Sequence, residues 1–371
     1  MNIKTITCHH VYNYGATLQA YALQNYLETL GHNVNIIDYR LPIHIRYELF
    51  TPNPTRRYYK IIQYFPFLNY IITPIKNRSM LKTWGRKKAF DLFDKKYLHI
   101  DTPIYCSYEE IKNNPPKADV YIAGSDQIWN PKMLNGKDYG YYLDFGDEKT
   151  NRISFSASFG VKEISNEQAA FVKKMLNKFQ NISVREDSGL NILSKIGIKA
   201  QRTVDPVFLL NESEWVNNLN LKSQKGDYIL VYDFTHDDTN IEKFARELSN
   251  TKHLKILAVN DYENTPYADI QINNAGPIEF LQYLMNAKYV VANSFHATAF
   301  SIIFHKNFVT FPLISQSNPY RMIDLLKKVG LYTHFKPDNV SIINENIQWN
   351  LVEDIINNDI LFSKQYLQTS I

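Results

Sequence analysis

Four short stretches of this 371-residue chain carry residues able to bind anions, move protons or grip hydroxyl groups. The most pointed covers residues 290–299, Val-Val-Ala-Asn-Ser-Phe-His-Ala-Thr-Ala. It reads as a buried strand that stops at polar residues and then opens a helix running to His305. Small residues at Ala297 and Ala299, with Ser294 or Thr298 free to cap, leave backbone N–H groups at the helix start without intrahelical partners. Such a start carries partial positive charge and accepts anions. His296 sets an imidazole, able to give or take a proton, beside it. Taken alone, the same pattern also fits a capped core helix with one satisfied histidine.

The second stretch is Gly124-Ser125-Asp126-Gln127-Ile128-Trp129-Asn130-Pro131, directly after an apolar strand. Ser125, Asp126 and Gln127 offer polar contacts to sugar hydroxyls, and Trp129 offers a face on which a sugar ring could stack. In the third, Ser183–Ser188, Arg185 sits where a strand gives way to a helix. Its rigid fork matches a carboxylate or phosphate; an ion pair with Glu186 or Asp187 is the plainer reading. The fourth, Asn13–Gln19, is a strand-to-helix turn in which Gly15 allows close backbone approach, as any tight turn would. Arg321, in Asn318-Pro319-Tyr320-Arg321 before an amphipathic helix, could reach the anion held near His296. One histidine, two arginines and a helix N-terminus suit a small, densely charged anion. Aspartate clusters for Mg²⁺, a P-loop and a complete GxGxxG fingerprint are missing from the sequence, so neither a metal nor a cofactor is expected.

The elements that must position these residues alternate between the two periodicities. Apolar runs at Lys4–Cys8, Val34–Asp38, Val120–Ala123, Ile153–Ser156, Ile182–Val184 and Thr203–Val204 predict strands. Helical spacing at Ala16–Leu30, Glu167–Asn177 and Glu186–Leu193 separates some of them. A second series has strands at Tyr228–Tyr232, Lys255–Val259, Tyr289–Ala292 and Phe308–Phe311, with helices at Ile241–Leu248, Pro277–Ala287 and Ala297–His305. Two such blocks predict an α/β fold of two Rossmann-like, doubly wound domains facing a cleft, divided as residues 1–210 and 211–371. The linker is expected at Leu209–Gly226.

Bulk composition narrows the class. With 44% hydrophobic and 21% charged residues the chain is globular, and its length allows two cores. Only Cys8 and Cys106 are present, far apart, which argues for a reducing compartment. The N-terminus lacks a signal-peptide pattern and no apolar run reaches the roughly 20 residues of a membrane span, so a cytoplasmic location is expected. The net charge of +4 hides a bias: residues 41–100 hold 12 Lys or Arg against 3 Asp or Glu, interleaved with aromatics. That segment could meet an anionic membrane surface or a phosphorylated substrate. Pro66 and Pro74 exclude one long helix over Ile61–Ile75. No nucleic-acid motif accompanies the charge, and nucleic acid is not an expected partner.

In order along the chain, Asn13–Leu23, Gly124–Pro131, Ser154–Gly160, Ser183–Asp187, Val204-Asp205-Pro206 and Ser294-Phe295-His296 resemble the motifs of the polysaccharide pyruvyl transferase family. The resemblance runs from about residue 3 to about residue 330. It implies a fold like that of GT-B glycosyltransferases, with residues 1–210 on the acceptor side and 211–371 on the donor side. It also implies phosphoenolpyruvate as donor substrate and a sugar or lipid-linked oligosaccharide of a cell-surface polysaccharide or capsule as acceptor. His296 and Arg185 then occupy donor-binding positions, with Arg321 a looser match. Many members carry Arg two residues before the motif histidine; this chain has Ser294 there. The chemistry so implied uses His296 as acid and Asp126 on the acceptor hydroxyl, with peripheral contact of the basic segment on the inner membrane surface. Two other readings fit the same residues: a GT-B glycosyltransferase using a nucleotide sugar, and a non-catalytic carbohydrate-binding protein of the capsule machinery.

Overall fold

The computed structural model describes residues 1–41, 57–78, 84–234, 239–313 and 319–371. The first lobe opens with β1 (Asn2–Ile6), α1 (Tyr14–Thr29) and β2 (Asn33–Ile36), the βαβ unit that the apolar spacing predicts. An excursion follows: α2 (Tyr58–Tyr64), α3 (Asn69–Lys76) and α4 (Trp84–Tyr97). Pro66 opens the short turn that separates α2 from α3, whereas Pro74 is accommodated in the last turn of α3. After α5 (Tyr108–Asn113) come β3 (Val120–Ala123), β4 (Asn151–Ser154), α6 (Asn166–Leu176), β5 (Ser183–Val184), α7 (Asp187–Lys195) and β6 (Gln201–Arg202). The strands run parallel in the order β2-β1-β3-β4, and bridges Ile153–Asn181 and Ala157–Val184 continue the sheet into the β5-β6 pair. Residues of β3 are buried on both faces, which is why they read as an unbroken apolar run.

The second lobe is entered through α8 (Glu212–Leu219). It contains β7 (Tyr228–Tyr232), α9 (Thr239–Lys252), β8 (Lys255–Val259), β9 (Ile270–Ile272), α10 (Pro277–Asn286), β10 (Tyr289–Ala292), α11 (Phe295–Ile303), β11 (Asn307–Thr310) and α12 (Tyr320–Lys328). Its five parallel strands are ordered β11-β10-β7-β8-β9. Two Rossmann-like α/β lobes therefore face each other, as the sequence predicts. The short edge strand β9 was not anticipated, since three residues give no period to read. No described helix is long and apolar enough to cross a membrane.

The last element departs from the expected division. α13 (Trp349–Ser370) leaves the second lobe and packs on the first. Tyr366 donates its hydroxyl hydrogen to the Ser154 carbonyl at 3.0 Å, and Asn151 Nδ2 donates to the Ser370 carbonyl at 2.6 Å. Tyr366 and Leu367 join Ile3, Leu23 and Ile122 in one core. Residues 211–371 are thus not a single spatial unit. The lobes also share a core: Tyr14, Leu18 and Tyr21 of α1 cluster with Trp215, Phe280, Leu284 and Phe300. Tyr14 stacks on Phe280 with ring centroids 4.4 Å apart. From α4, buried Arg86 pairs with Asp261 at 2.6 Å and donates to the Tyr12 carbonyl at 2.6 Å, a second tie across the boundary. Breaking a buried pair of this kind by removing one partner costs about 3–5 kcal/mol.

Candidate active site

The site forms where the carboxyl ends of the two sheets meet, the usual place for ligands in doubly wound domains. From the second lobe, β10 ends at Ala292 and Ser294 caps α11, its hydroxyl accepting from the Ala297 N–H at 3.4 Å. This turn delivers Phe295 and His296, both 8% exposed. From the first lobe, Asn13 caps α1 by accepting from the Ala16 N–H at 3.1 Å, and Gly15 follows in the first turn. The backbone approach that Gly15 permits is to the histidine itself. A Cβ placed on Gly15 would lie 1.9 Å from His296 Nδ1 and 2.3 Å from its Cγ. The two lobes therefore touch at the imidazole.

Arg185 enters directly after β5 and is 7% exposed. Its Nη1 binds Asp205 Oδ2, while Nη2 lies 3.8 Å from Asp126 Oδ1 and Nε lies 3.9 Å from Glu186 Oε2. The last two separations are too long for hydrogen bonds. Nε and Nη2 of Arg185, and Nε2 of His296, are buried without a hydrogen-bond partner among the described residues. His296 Nε2 stands 3.5 Å from Asp205 Oδ2, an ionic contact at most. Arg321, on α12, makes no ion pair or hydrogen bond with any described residue; its guanidinium lies 5.5 Å from the Phe295 ring centre, and that of Arg185 lies 4.9 Å from the same ring. One aromatic ring thus sits against two cations.

The electrostatics follow from this crowding. Burial works against the charge of Arg185, but Asp205, Asp126 and Glu186 outweigh it and hold the guanidinium above its ordinary pKa. Burial alone would lift the Asp205 carboxyl; His296 and Arg185 instead hold it well below the usual carboxylate range. Asp205 is fixed from behind as well, because its Oδ1 accepts from the Val207 N–H at 3.1 Å. Arg321 is pushed down to about 10, by burial first and by its neighbour Arg185 second. Two arginines and an imidazole are thus met by three carboxylates. The anion-binding groups sit in a cluster of both signs, in which Arg185 is met by carboxylates and Arg321 has no ion pair among the described residues.

Asp126 stands in the left-handed region at φ 69, which aspartate tolerates better than bulkier residues. Its carbonyl accepts from the Ile128 and Ser158 N–H groups, and its side chain is 19% exposed with Oδ1 3.8 Å from Arg185 Nη2. The rest of that stretch is placed otherwise. Ser125 is fully buried; its hydroxyl donates to the Ser156 carbonyl at 3.1 Å and so serves the loop, while its backbone carbonyl accepts from the Thr7 hydroxyl at 3.0 Å. Gln127 accepts from Asn130 Nδ2 at 2.7 Å. Trp129 is fully buried, donates from Nε1 to the Tyr141 carbonyl at 3.1 Å and stacks on Tyr142 at 5.5 Å. It offers no face to a sugar: its indole is a core group of the first lobe, and the expected stacking platform is corrected accordingly.

The structure brings together His296, Arg185, Arg321, Asp126 and the backbone at Gly15. Asn13 and Ser294 act as helix caps at the margin. A narrow cleft lined by Arg185, Asp205, Phe295, Arg321, Asp324 and Asp359 opens beside the cluster. Asn318 lies outside the described residues. Two participants carried no site role in the sequence reading. Asp205 bridges Arg185 to His296; its only signal was the polar residue in Val204-Asp205-Pro206 at a strand end. Glu186 accepts from Ser158 Oγ at 2.8 Å and the Phe159 N–H at 3.0 Å, and so ties the Arg185 turn to the adjoining loop.

The family signature of polysaccharide pyruvyl transferases matches residues 13–313, a span that contains Gly15, Asp126, Arg185, Asp205 and His296 but ends before Arg321. The chain belongs to the polysaccharide pyruvyl transferase family. No functionally curated protein matches it. Among solved structures, this pyruvyl transferase family member is similar to UDP-GlcNAc 2-epimerase from Neisseria meningitidis bound to UDP-GlcNAc, at 10% identity and TM-score 0.46, covering all of this chain and 94% of that one. UDP-GlcNAc 2-epimerase from Methanocaldococcus jannaschii gives 11% identity and TM-score 0.47, with 96% and 93% covered. The spinosyn rhamnosyltransferase SpnG gives 10% and 0.40, with 100% and 95% covered. None of these similarities bears on activity.

Proposed function

We propose that the protein transfers the pyruvyl group of phosphoenolpyruvate to two hydroxyls of a sugar, forming a cyclic ketal during synthesis of a cell-surface polysaccharide. Family membership supplies the reaction class. The observation that carries the donor assignment is the pair of buried Arg185 nitrogens, Nε and Nη2, without an acceptor, beside Arg321, which has no ion pair among the described residues. Leaving a buried donor unsatisfied costs about 1–3 kcal/mol, more for charged groups, and an incoming anion removes that cost. An anion between the two guanidiniums also relieves their mutual repulsion. Phosphoenolpyruvate, with a carboxylate and a phosphate ester both attached to C2, offers one anionic group to each.

Ketal formation needs C2 of the enol to become electrophilic. A proton delivered to the methylene carbon gives an oxocarbenium-like centre, and a sugar hydroxyl adds to it while losing its own proton. Phosphate then departs with its bonding electrons, and the second hydroxyl closes the ring on C2 as its proton passes to the departing phosphate. His296 is the proposed acid, pressed on one side by Gly15 and on the other by Asp205. Asp205 steadies the ring and Arg185 together, as a positioning residue. Asp126, part-exposed and beside Arg185, is the proposed acceptor of the hydroxyl proton. Arg185 and Arg321 hold the donor and stabilise the leaving phosphate.

The test is phosphate release from phosphoenolpyruvate with a panel of glycosides, alongside thermal shift with phosphoenolpyruvate or UDP-sugars. Release that needs both donor and glycoside supports the reading. Stabilisation by UDP-sugars alone, with no phosphate released from any acceptor, removes it.

A further inference from the structure

The excursion carries its apolar side chains on the wrong face for a soluble helix pair. Along α2 and at the residue that ends it, Ile61 (48% exposed), Tyr64 (81%) and Phe65 (55%) all face solvent, the first two one helical turn apart. The following turn and α3 repeat the arrangement with Phe67 (64%), Ile71 (57%) and Ile75 (61%), the first two and the last two of which are four residues apart. The inward positions are Ile62 and Thr73, both buried. Phe65 and Phe67 meet edge to face at 6.4 Å, so the exposed surface is a packed aromatic tip and not scattered side chains. Monomeric proteins seldom leave such a contiguous patch uncovered.

Charge narrows what covers it. Residues 57–78 contain Arg57, Lys60, Lys76 and Arg78 and no acidic residue. Lys60 and Lys76 are exposed beside the apolar stripe. Aromatic and aliphatic side chains on one face, rimmed by cations with no anion among them, match the boundary of an anionic lipid leaflet. A face buried against another copy would set these like charges against each other.

We propose that this face docks the protein on an anionic bilayer surface, with the aromatic tip entering the headgroup–acyl boundary and the rim cations meeting lipid charge. The inference is independent of the transfer reaction. It is tested by co-sedimentation of the full chain with phosphatidylcholine vesicles, with and without phosphatidylglycerol. Binding to the anionic vesicles is expected, weakening as salt shortens the Debye length. Phe65→Ser/Phe67→Ser/Ile71→Ser and, separately, Lys60→Glu/Lys76→Glu are each expected to lose at least about tenfold in affinity. Because these side chains are exposed, circular dichroism and Tm of both variants should match the parent. Equal binding to neutral and anionic vesicles, binding to neither, or full retention by either variant overturns the proposal. So does self-association that the serine substitutions abolish while vesicle binding is absent.

Discussion

The contact between Gly15 and His296 gives the sharpest test of the site. In Gly15→Ala the new methyl would sit 1.9 Å from Nδ1, 2.3 Å from Cγ and 2.5 Å from Cε1 of the imidazole. Restoring ordinary contact at 3.4 Å asks for a displacement of about 1.5 Å. The ring has little room, with Asp205 3.5 Å from its Nε2 and Phe295 edge-on at 5.2 Å between centroids. A misplacement of about 1 Å in a reacting group costs roughly 100-fold in rate, so turnover should fall at least that far. Stability should suffer less. Overpacking costs about 1–3 kcal/mol, and alanine is favoured over glycine inside a helix by about 1 kcal/mol. Phosphate release reads the first effect and urea unfolding the second. Removing the imidazole makes room for the methyl, so Gly15→Ala/His296→Ala should unfold at nearly the same urea concentration as His296→Ala. A favourable coupling of at least about 1 kcal/mol is expected from the cycle. Unchanged turnover in Gly15→Ala, or strictly additive stabilities, would refute the placement of the ring between the lobes.

Two further outcomes follow from the cluster and one from the core beside it. Arg321 has a depressed pKa, near 10, so its charge opposes folding at neutral pH and ceases to do so only as pH rises above that value; Arg321→Met should stabilise the ligand-free protein by on the order of 1–3 kcal/mol while abolishing the Tm increase produced by phosphoenolpyruvate. Asp205, held low by His296 and Arg185 against its burial, contributes stability that is complete above its unfolded pKa of about 4 and is lost as pH falls below it; Asp205→Asn should cost about 3–5 kcal/mol at pH 7 and flatten that acid limb in urea titrations. Trp129→Phe should lower stability by about 1–3 kcal/mol, through the lost bond to Tyr141, and leave KM for the sugar acceptor unchanged; a large rise in KM would restore the stacking role that burial denies it.

Much of the architecture was legible because it is local. Apolar runs for strands buried on both faces, 3.6-residue spacing for covering helices, and polar residues at strand ends are all written within about a dozen positions. They located β1, β2, β3, β7, β8 and β10 and placed Ser294, His296 and Arg185 at the ends of strands. The strand predicted at Thr203–Val204 forms two residues earlier, at Gln201–Arg202, where it pairs with β5. Helix α13 escaped because leucine and phenylalanine on its outer face, at Leu351, Leu361 and Phe362, blur its period.

The sequence by itself determined the two parallel α/β blocks, the capped helix that carries His296 and the turn that carries Arg185. Tertiary structure decided everything that depends on which blocks touch. It sealed Trp129 in the core, set Asp205 between Arg185 and His296, and turned Gly15 into the clearance for an imidazole some 280 positions further along the chain. It also left Arg321 without an ion pair among the described residues while Arg185 found three carboxylates. Periodicity records which face of an element is buried and says nothing of what lies against it. The charge balance of this site, and with it the chemistry proposed here, arises from contacts between residues whose separation along the chain leaves no local trace.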